Sequence, residues 1–364
     1  MCLILGKKNY IIPIFVPHHG CPFDCIFCNQ KKITGIDTVL KGEQVEEQIK
    51  NYVKFIGEKS DKHIEIAFFG GSFTGIDIEK QKEFLYIASK WYKSGYIDDI
   101  RLSTRPDYID EGVLSYLKEY NVSIIELGVQ SLDNDVLGKS LRGHGASDVI
   151  RASNLIKREG LKLGLQMMVG LPGDDFKKSM ATAKKIISCN PDFIRIYPTL
   201  VIRGTKLEEL YLDGDYKPLK LEEALFICKE LYRLYYYHGI PIIRIGLQPT
   251  DNIMEGKDVI AGPFHPSFRQ LVESEIFKES IDKYISSYKE KIHKIEFILH
   301  PKSISNLVGI RKRNLNFFRE KYNVGDIIIT KTLDISKDEI KIKLNDSILK
   351  KIKAYEKVEF MSRK

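Results

Sequence analysis

A chain of 364 residues that is 43% hydrophobic and 29% charged, with a mean hydropathy of −0.21, has the composition of a folded protein able to bury a sizeable core. Its net charge of +8 is uneven, because residues 291–364 hold 18 Lys+Arg against 9 Asp+Glu, which leaves −1 for residues 1–290. Collagen-like, mucin-like and disulfide-stapled classes are excluded, and no run approaches the roughly 18 apolar residues that a membrane helix needs. The opening eight residues place their charges after the apolar ones and lack a small-residue cleavage site, so no signal peptide is expected and the reading is cytoplasmic, with no membrane partner.

In chain order, short β-rich apolar runs alternate with longer stretches of helical period. Strands are predicted at 11–16, 64–69, 100–104, 123–129, 163–169 and 193–197. Helices are predicted at 44–56, 78–92, 111–120, 147–159, 174–188 and 221–238, with Asp110 and Asp174 as N-caps. Several strands are almost continuously apolar, as strands covered on both faces should be. Six such repeats predict an α/β fold, a partial (β/α)6 TIM-like barrel over residues 1–250. Residues 251–364 form a C-terminal extension that ends in a small, basic α+β module from about 291 onward. In such barrels the chemistry gathers in the loops after the strands, which is where the unusual residues of this chain fall.

The loop after the first strand reads His18-His19-Gly20-Cys21-Pro22-Phe23-Asp24-Cys25-Ile26-Phe27-Cys28, three thiols spaced CxxxCxxC. Thiolates so close are good ligands for soft or borderline metals. Three of them on a [4Fe-4S] cluster leave one iron open to a small molecule. A zinc site formed by the same thiols with His18 or His19 is the alternative, although structural zinc more often draws paired cysteines from separate segments. The remaining cysteines, Cys2, Cys189 and Cys228, lack this spacing.

With an aromatic residue before the third thiol, Cys21, Cys25, Phe27 and Cys28 resemble the signature of the radical S-adenosylmethionine (SAM) superfamily. The resemblance covers about residues 10–250. It implies a [4Fe-4S] cluster held by Cys21, Cys25 and Cys28, S-adenosylmethionine on the open iron, and reductive cleavage to a 5′-deoxyadenosyl radical that abstracts hydrogen from substrate. It further implies cofactor contacts at the strand ends. Gly70, Gly71 and Ser72 match the glycine motif that meets the methionine amino group, and Ser103 stands where some relatives carry a glutamate. Gln130 and Arg142 match residues for the ribose and carboxylate, the planar guanidinium fork suiting the latter, and Gln166 precedes Gly170-Leu171-Pro172 at a ribose-contacting position.

The chain looks most like the Elongator catalytic-subunit branch, through Phe69-Gly70-Gly71-Ser72-Phe73, Thr104-Arg105-Pro106-Asp107, Gly128-Val129-Gln130-Ser131, Arg142-Gly143-His144 and Ile196-Tyr197-Pro198-Thr199. That branch modifies wobble uridine in tRNA, so RNA is the implied substrate and an electron donor such as flavodoxin or ferredoxin the implied partner. No pyrophosphate-binding glycine pattern of the acetyltransferase type is found after residue 250. Two other readings compete: a small-molecule radical enzyme resembling anaerobic coproporphyrinogen oxidase, and a non-catalytic haem carrier, whose His-Asn-x-x-Tyr-Trp motif is absent. Tyr197, with His265 and Arg269 in a Gly/Pro/His loop, are the substrate-side candidates, Tyr197 and His265 being the catalytic pair. The basic cluster Arg311-Lys312-Arg313, with Arg319 and Lys321, is the expected RNA contact, and Phe317 and Phe318 beside it are read either as base-stacking rings or as core.

Overall fold

The structure is a computed structural model that describes residues 8–16, 25–28, 40–247, 254, 256–345 and 350–355. The chain divides into two compact units, the first made of residues 1–221 and 240–264 and the second of residues 222–239 and 265–364.

In the first unit, β1 (Lys8–Val16), β2 (Lys62–Gly70), β3 (Asp99–Thr104), β4 (Val122–Gln130), β5 (Lys162–Val169) and β6 (Phe193–Pro198) pair in sequence order, every pair parallel. β7 (Val201–Ile202) leaves the sheet, β8 (Ile242–Ile245) docks on β6 as a seventh parallel strand beyond the six counted in the sequence, and β9 (Val259–Ala261) pairs antiparallel with β7. The crossovers carry α1 (Gly42–Ile56), α2 (Ile78–Lys93), α3 (Glu111–Glu119), α4 (Asn134–Lys139) with α5 (Ala146–Arg158), and α6 (Phe176–Ser188); α7 (Lys206–Leu212) follows β7. A strand order without reversal keeps the helices on one face and curls the sheet, here into an open half-barrel. The core between the two layers is aliphatic: Ile12, Ile14 and Val16 of β1 are buried with Val45 and Ile49 of α1. Asp110 caps α3 as expected, but α6 starts two residues later than the sequence suggested and is capped by Asp175. Asp174 turns back instead to accept the Gly170 N–H at 2.9 Å and the Ser179 hydroxyl at 2.8 Å.

The second unit contains α8 (Leu221–Tyr237), α9 (Phe268–Ser286), β10 (Lys294–Leu299), α10 (Ile304–Val308), α11 (Arg313–Tyr322), β11 (Asp326–Lys331), β12 (Glu339–Leu344) and β13 (Lys350–Lys353). Its sheet runs β11-β10-β12-β13, parallel in the first pair and antiparallel in the others. Ile295, Phe297, Leu299, Ile340 and Ile342 are buried on one face, with Phe297 against Phe318 of α11 at 5.7 Å. The periodicity of 221–238 correctly marks a helix, which the sequence reading counted among the barrel repeats. Its partners lie in the second unit: Lys229 and Arg233 pair with Glu279, and Tyr232 and Tyr236 pack on Tyr355. Among the described residues no helix is long and apolar enough to cross a membrane.

Candidate cofactor site at the strand ends

Parallel strands bring their C-terminal ends to one edge of the sheet, and the candidate residues of the first unit fall there. Gly70 ends β2, Ser103 is the penultimate residue of β3, Gln130 ends β4, Gln166 of β5 lies in register with Gly128, and Tyr197 is penultimate in β6. Gly71 donates its N–H to the Val16 carbonyl at 2.9 Å, which ties the turn at Gly71 and Ser72 to the end of β1. Gly70 adopts φ +110°, and a Cβ there would collide with the Phe15 ring, so this turn admits only glycine. Cys25 and Cys28 are described; Cys21, His18 and His19 lie outside the described residues.

The Cys25–Cys28 segment is a turn closed by the Cys28 N–H on the Cys25 carbonyl at 2.9 Å. Ile26, 1% exposed, plugs it into an apolar cluster with Val201, Leu207 and Tyr216. Its backbone is held on both sides, donating to the Ser140 carbonyl at 3.3 Å and accepting from the Leu207 N–H at 2.7 Å. Burial of one apolar side chain thus anchors the turn that carries both thiols.

Arg142 reaches this turn from the segment between α4 and α5. Its Nη1 donates to Cys25 Sγ at 3.1 Å, its Nη2 to the Gly128 carbonyl at 2.6 Å and its Nε to His144 Nε2 at 3.3 Å. Arg105 grips the Arg142 carbonyl and is itself held by the Asp107 carboxylate at 3.0 Å through both Nε and Nη2. Leu141 and Gly143 flank Arg142 at φ +51° and +74°, and Gln130 stands at φ +63° beside a register shift between β4 and β5. Left-handed backbone costs a non-glycine residue about 1 kcal/mol, so Leu141 and Gln130 store strain where Arg142 and Gln130 converge on Gly128. Gln130 is 5% exposed and its Oε1 has no hydrogen-bond partner among the described residues. Burial, followed by the Arg142 and Arg105 charges, lowers the His144 pKa to about 4. The ring is therefore neutral, with Nδ1–H toward the Gly145 carbonyl at 3.4 Å and Nε2 free to accept from Arg142.

Below this layer the inner face of the half-barrel carries a charge series. Arg101 bridges Glu65 and Glu126, and Arg195 donates to Glu126 from Nη2 at 3.0 Å and approaches the Tyr197 hydroxyl with Nη1 at 3.4 Å. His63, Glu65 and Asp99 lie close enough together to suggest a cation site, but Arg101 already compensates Glu65 and Lys162 sits 3.0 Å from Asp99. Sequence reasoning gave no role to this series, to Arg105 or to His144. The signal was charge set inside otherwise apolar strands, Glu65 in β2, Arg101 in β3, Glu126 in β4 and Arg195 in β6, which marks the face turned away from the helices.

In the second unit, His265 Nδ1 accepts from the Ser267 N–H at 3.0 Å and Arg269 donates to Glu273 at 2.7 Å. Phe318 is fully buried core rather than a base platform, and Lys321 is paired with Asp282 at 2.7 Å. Arg311, Lys312 and Arg313 are exposed, the first two at φ +52° and +62°, and the first turn of α11 carries no acidic residue.

The family model described as the Radical SAM superfamily matches residues 15–186, and that of the Radical_SAM C-terminal domain matches residues 191–278. An uncharacterized protein of Methanocaldococcus jannaschii is 33% identical over 229 residues, 62% of this chain and 67% of that protein. A tRNA uridine(34) acetyltransferase of the same organism is 35% identical over 193 residues, 47% of this chain. This chain spans only 35% of that relative's length. The archaeal Methanocaldococcus infernus Elp3 with an N-terminal deletion shares the fold, with a TM-score of 0.59 at 24% identity over 75% of this chain and 63% of that chain. The chain belongs to the radical SAM superfamily. Its family makes it a radical SAM enzyme, and over its core it is similar to proteins of the Elongator-like branch.

Proposed function

We propose that Cys21, Cys25 and Cys28 hold a [4Fe-4S] cluster, that Gly70, Gly71, Ser72, Ser103, Gln130, Arg142 and Gln166 receive S-adenosylmethionine, and that the substrate is RNA, a tRNA uridine at the wobble position. When bound, the cluster and its cosubstrate supply a 5′-deoxyadenosyl radical, which in the superfamily abstracts hydrogen from substrate. The observation that carries this reading is the convergence of Arg142 on Cys25 Sγ beside the partnerless Oε1 of Gln130. A buried acceptor without a donor is costly, and the ribose hydroxyl of a cosubstrate is the kind of donor that would satisfy it. Arg142 has five N–H groups and three partners, which leaves two donors for a carboxylate. Tyr197, beside Arg195 at the end of β6, is the substrate-side candidate in the first unit, with His265 the candidate from the second.

RNA is favoured by the relatives named for tRNA uridine(34) and by the exposed Arg311, Lys312 and Arg313. Anaerobic incubation with S-adenosylmethionine, a reductant such as reduced flavodoxin or ferredoxin, and total tRNA should give 5′-deoxyadenosine and a nucleoside of altered mass. tRNA binding should weaken with salt at a log–log slope of about −3 to −4, and replacing Arg311, Lys312 and Arg313 together with Ser should flatten that slope by about 2. Absence of tRNA binding at low salt would sink the RNA reading and leave the radical chemistry to be tested with small molecules.

A further inference from the structure

Arg142 is 6% exposed, and among the described residues it makes no ion pair with a carboxylate. Arg105, its neighbour, has Asp107; Arg142 has a carbonyl, a neutral imidazole and a sulfur. Of these three contacts, the one at 3.1 Å meets the sulfur of Cys25, a proposed cluster ligand, within hydrogen-bond reach. The Gly128 and His144 bonds, together with Arg105 on the backbone carbonyl, already fix the side chain without the sulfur contact. Strained backbone at Leu141 holds this aim.

We infer that Arg142 is a positioning residue for the cluster itself: its Nη1–H donates to the ligating sulfur of Cys25 and raises the reduction potential, apart from any contact with S-adenosylmethionine. The inference rests on the reading that Cys21, Cys25 and Cys28 hold a cluster. Hydrogen bonds to ligand sulfur, and positive charge beside it, stabilise the more negative, reduced state, and donors of this kind are a principal lever on iron–sulfur potentials. Residues that touch only the cosubstrate would not move the potential of the cosubstrate-free cluster.

The test is a redox titration of the full chain, reconstituted anaerobically and followed by electron paramagnetic resonance, with no S-adenosylmethionine present. Wild type, Arg142→Gln, Arg142→Lys and the control Cys189→Ser should each take up about four irons. Arg142→Gln should shift the midpoint negative by at least a tenfold change in the one-electron equilibrium, about 59 mV. Arg142→Lys, which keeps the charge on a shorter reach, should fall between, and Cys189→Ser should match wild type. In wild type labelled with 15N-arginine, pulsed measurements should detect 15N coupled to the reduced cluster, and the coupling should vanish in Arg142→Lys. An unchanged midpoint in Arg142→Gln, or no 15N coupling in wild type, overturns the inference while leaving the cluster reading standing. If Arg142→Gln takes up no iron, the 15N measurement on wild type decides. A wild type that takes up no iron overturns the cluster reading, and this inference with it.

Discussion

Gln130 is held in left-handed backbone with a buried amide oxygen that has no hydrogen-bond partner among the described residues. Both costs fall on the folded state, and both are removed by one change. Gln130→Gly should raise thermal stability by roughly 1 kcal/mol while weakening S-adenosylmethionine binding. Paired melting curves and calorimetric titrations would check this, and a loss of stability would show that the glutamine amide is satisfied in a way its surroundings do not reveal. His144 carries a different cost. Its folded pKa of about 4 lies below the 6.5 of an unfolded histidine, so between these values the unfolded chain binds the extra proton. Stability therefore rises as pH increases from about 4 to 6.5 and is level above that, by up to about 3 kcal/mol for this group. His144→Asn should flatten that part of the curve, which chemical denaturation at a series of pH values would read directly.

At the scale of elements, the strands are where charge and packing meet. Arg101 of β3 lies between Glu65 of β2 and Glu126 of β4, with the Phe193 ring of β6 4.9 Å from its guanidinium. Arg101→Met would keep the volume and strand two buried carboxylates, of which only Glu126 retains a second arginine. A loss of about 3–5 kcal/mol is expected by urea unfolding. The strands themselves were legible because strands of a parallel sheet are apolar at nearly every position, and the cysteine turn because its spacing is a property of sequence alone. The Arg142 contacts were not, since the reach of that side chain depends on the twist at Leu141 and Gly143, and no periodicity announces a leucine in left-handed backbone. Asp174 and Asp175 show the limit of cap signals: both are capping residues by type, and which one begins α6 is decided by whether Gly170 needs an acceptor. Periodicity marked α8 as amphipathic, but an apolar stripe does not say which core it will enter.

At the scale of the whole molecule, the seven-stranded sheet and the four-stranded sheet each have their own core, and the chain visits them alternately: first unit to residue 221, second for 222–239, first again for 240–264, then second to the end. Synthesis runs in that order. The first six sheet strands can pair progressively, each with the strand made just before it, but β8 cannot dock until α8 has been made, and α8 meets Glu279 and Tyr355 only when the last third of the chain has emerged. Residues 265–364 expressed alone would leave Glu279 and Tyr355 facing solvent, and their amide protons should exchange with deuterium far faster than in the full chain. Full-chain protection in that fragment would show that α8 adds nothing to its unit. The interleaved path means that no single cut separates the two units. A cut at 221 strands residues 240–264 with the second unit, and a cut at 264 strands residues 222–239 with the first.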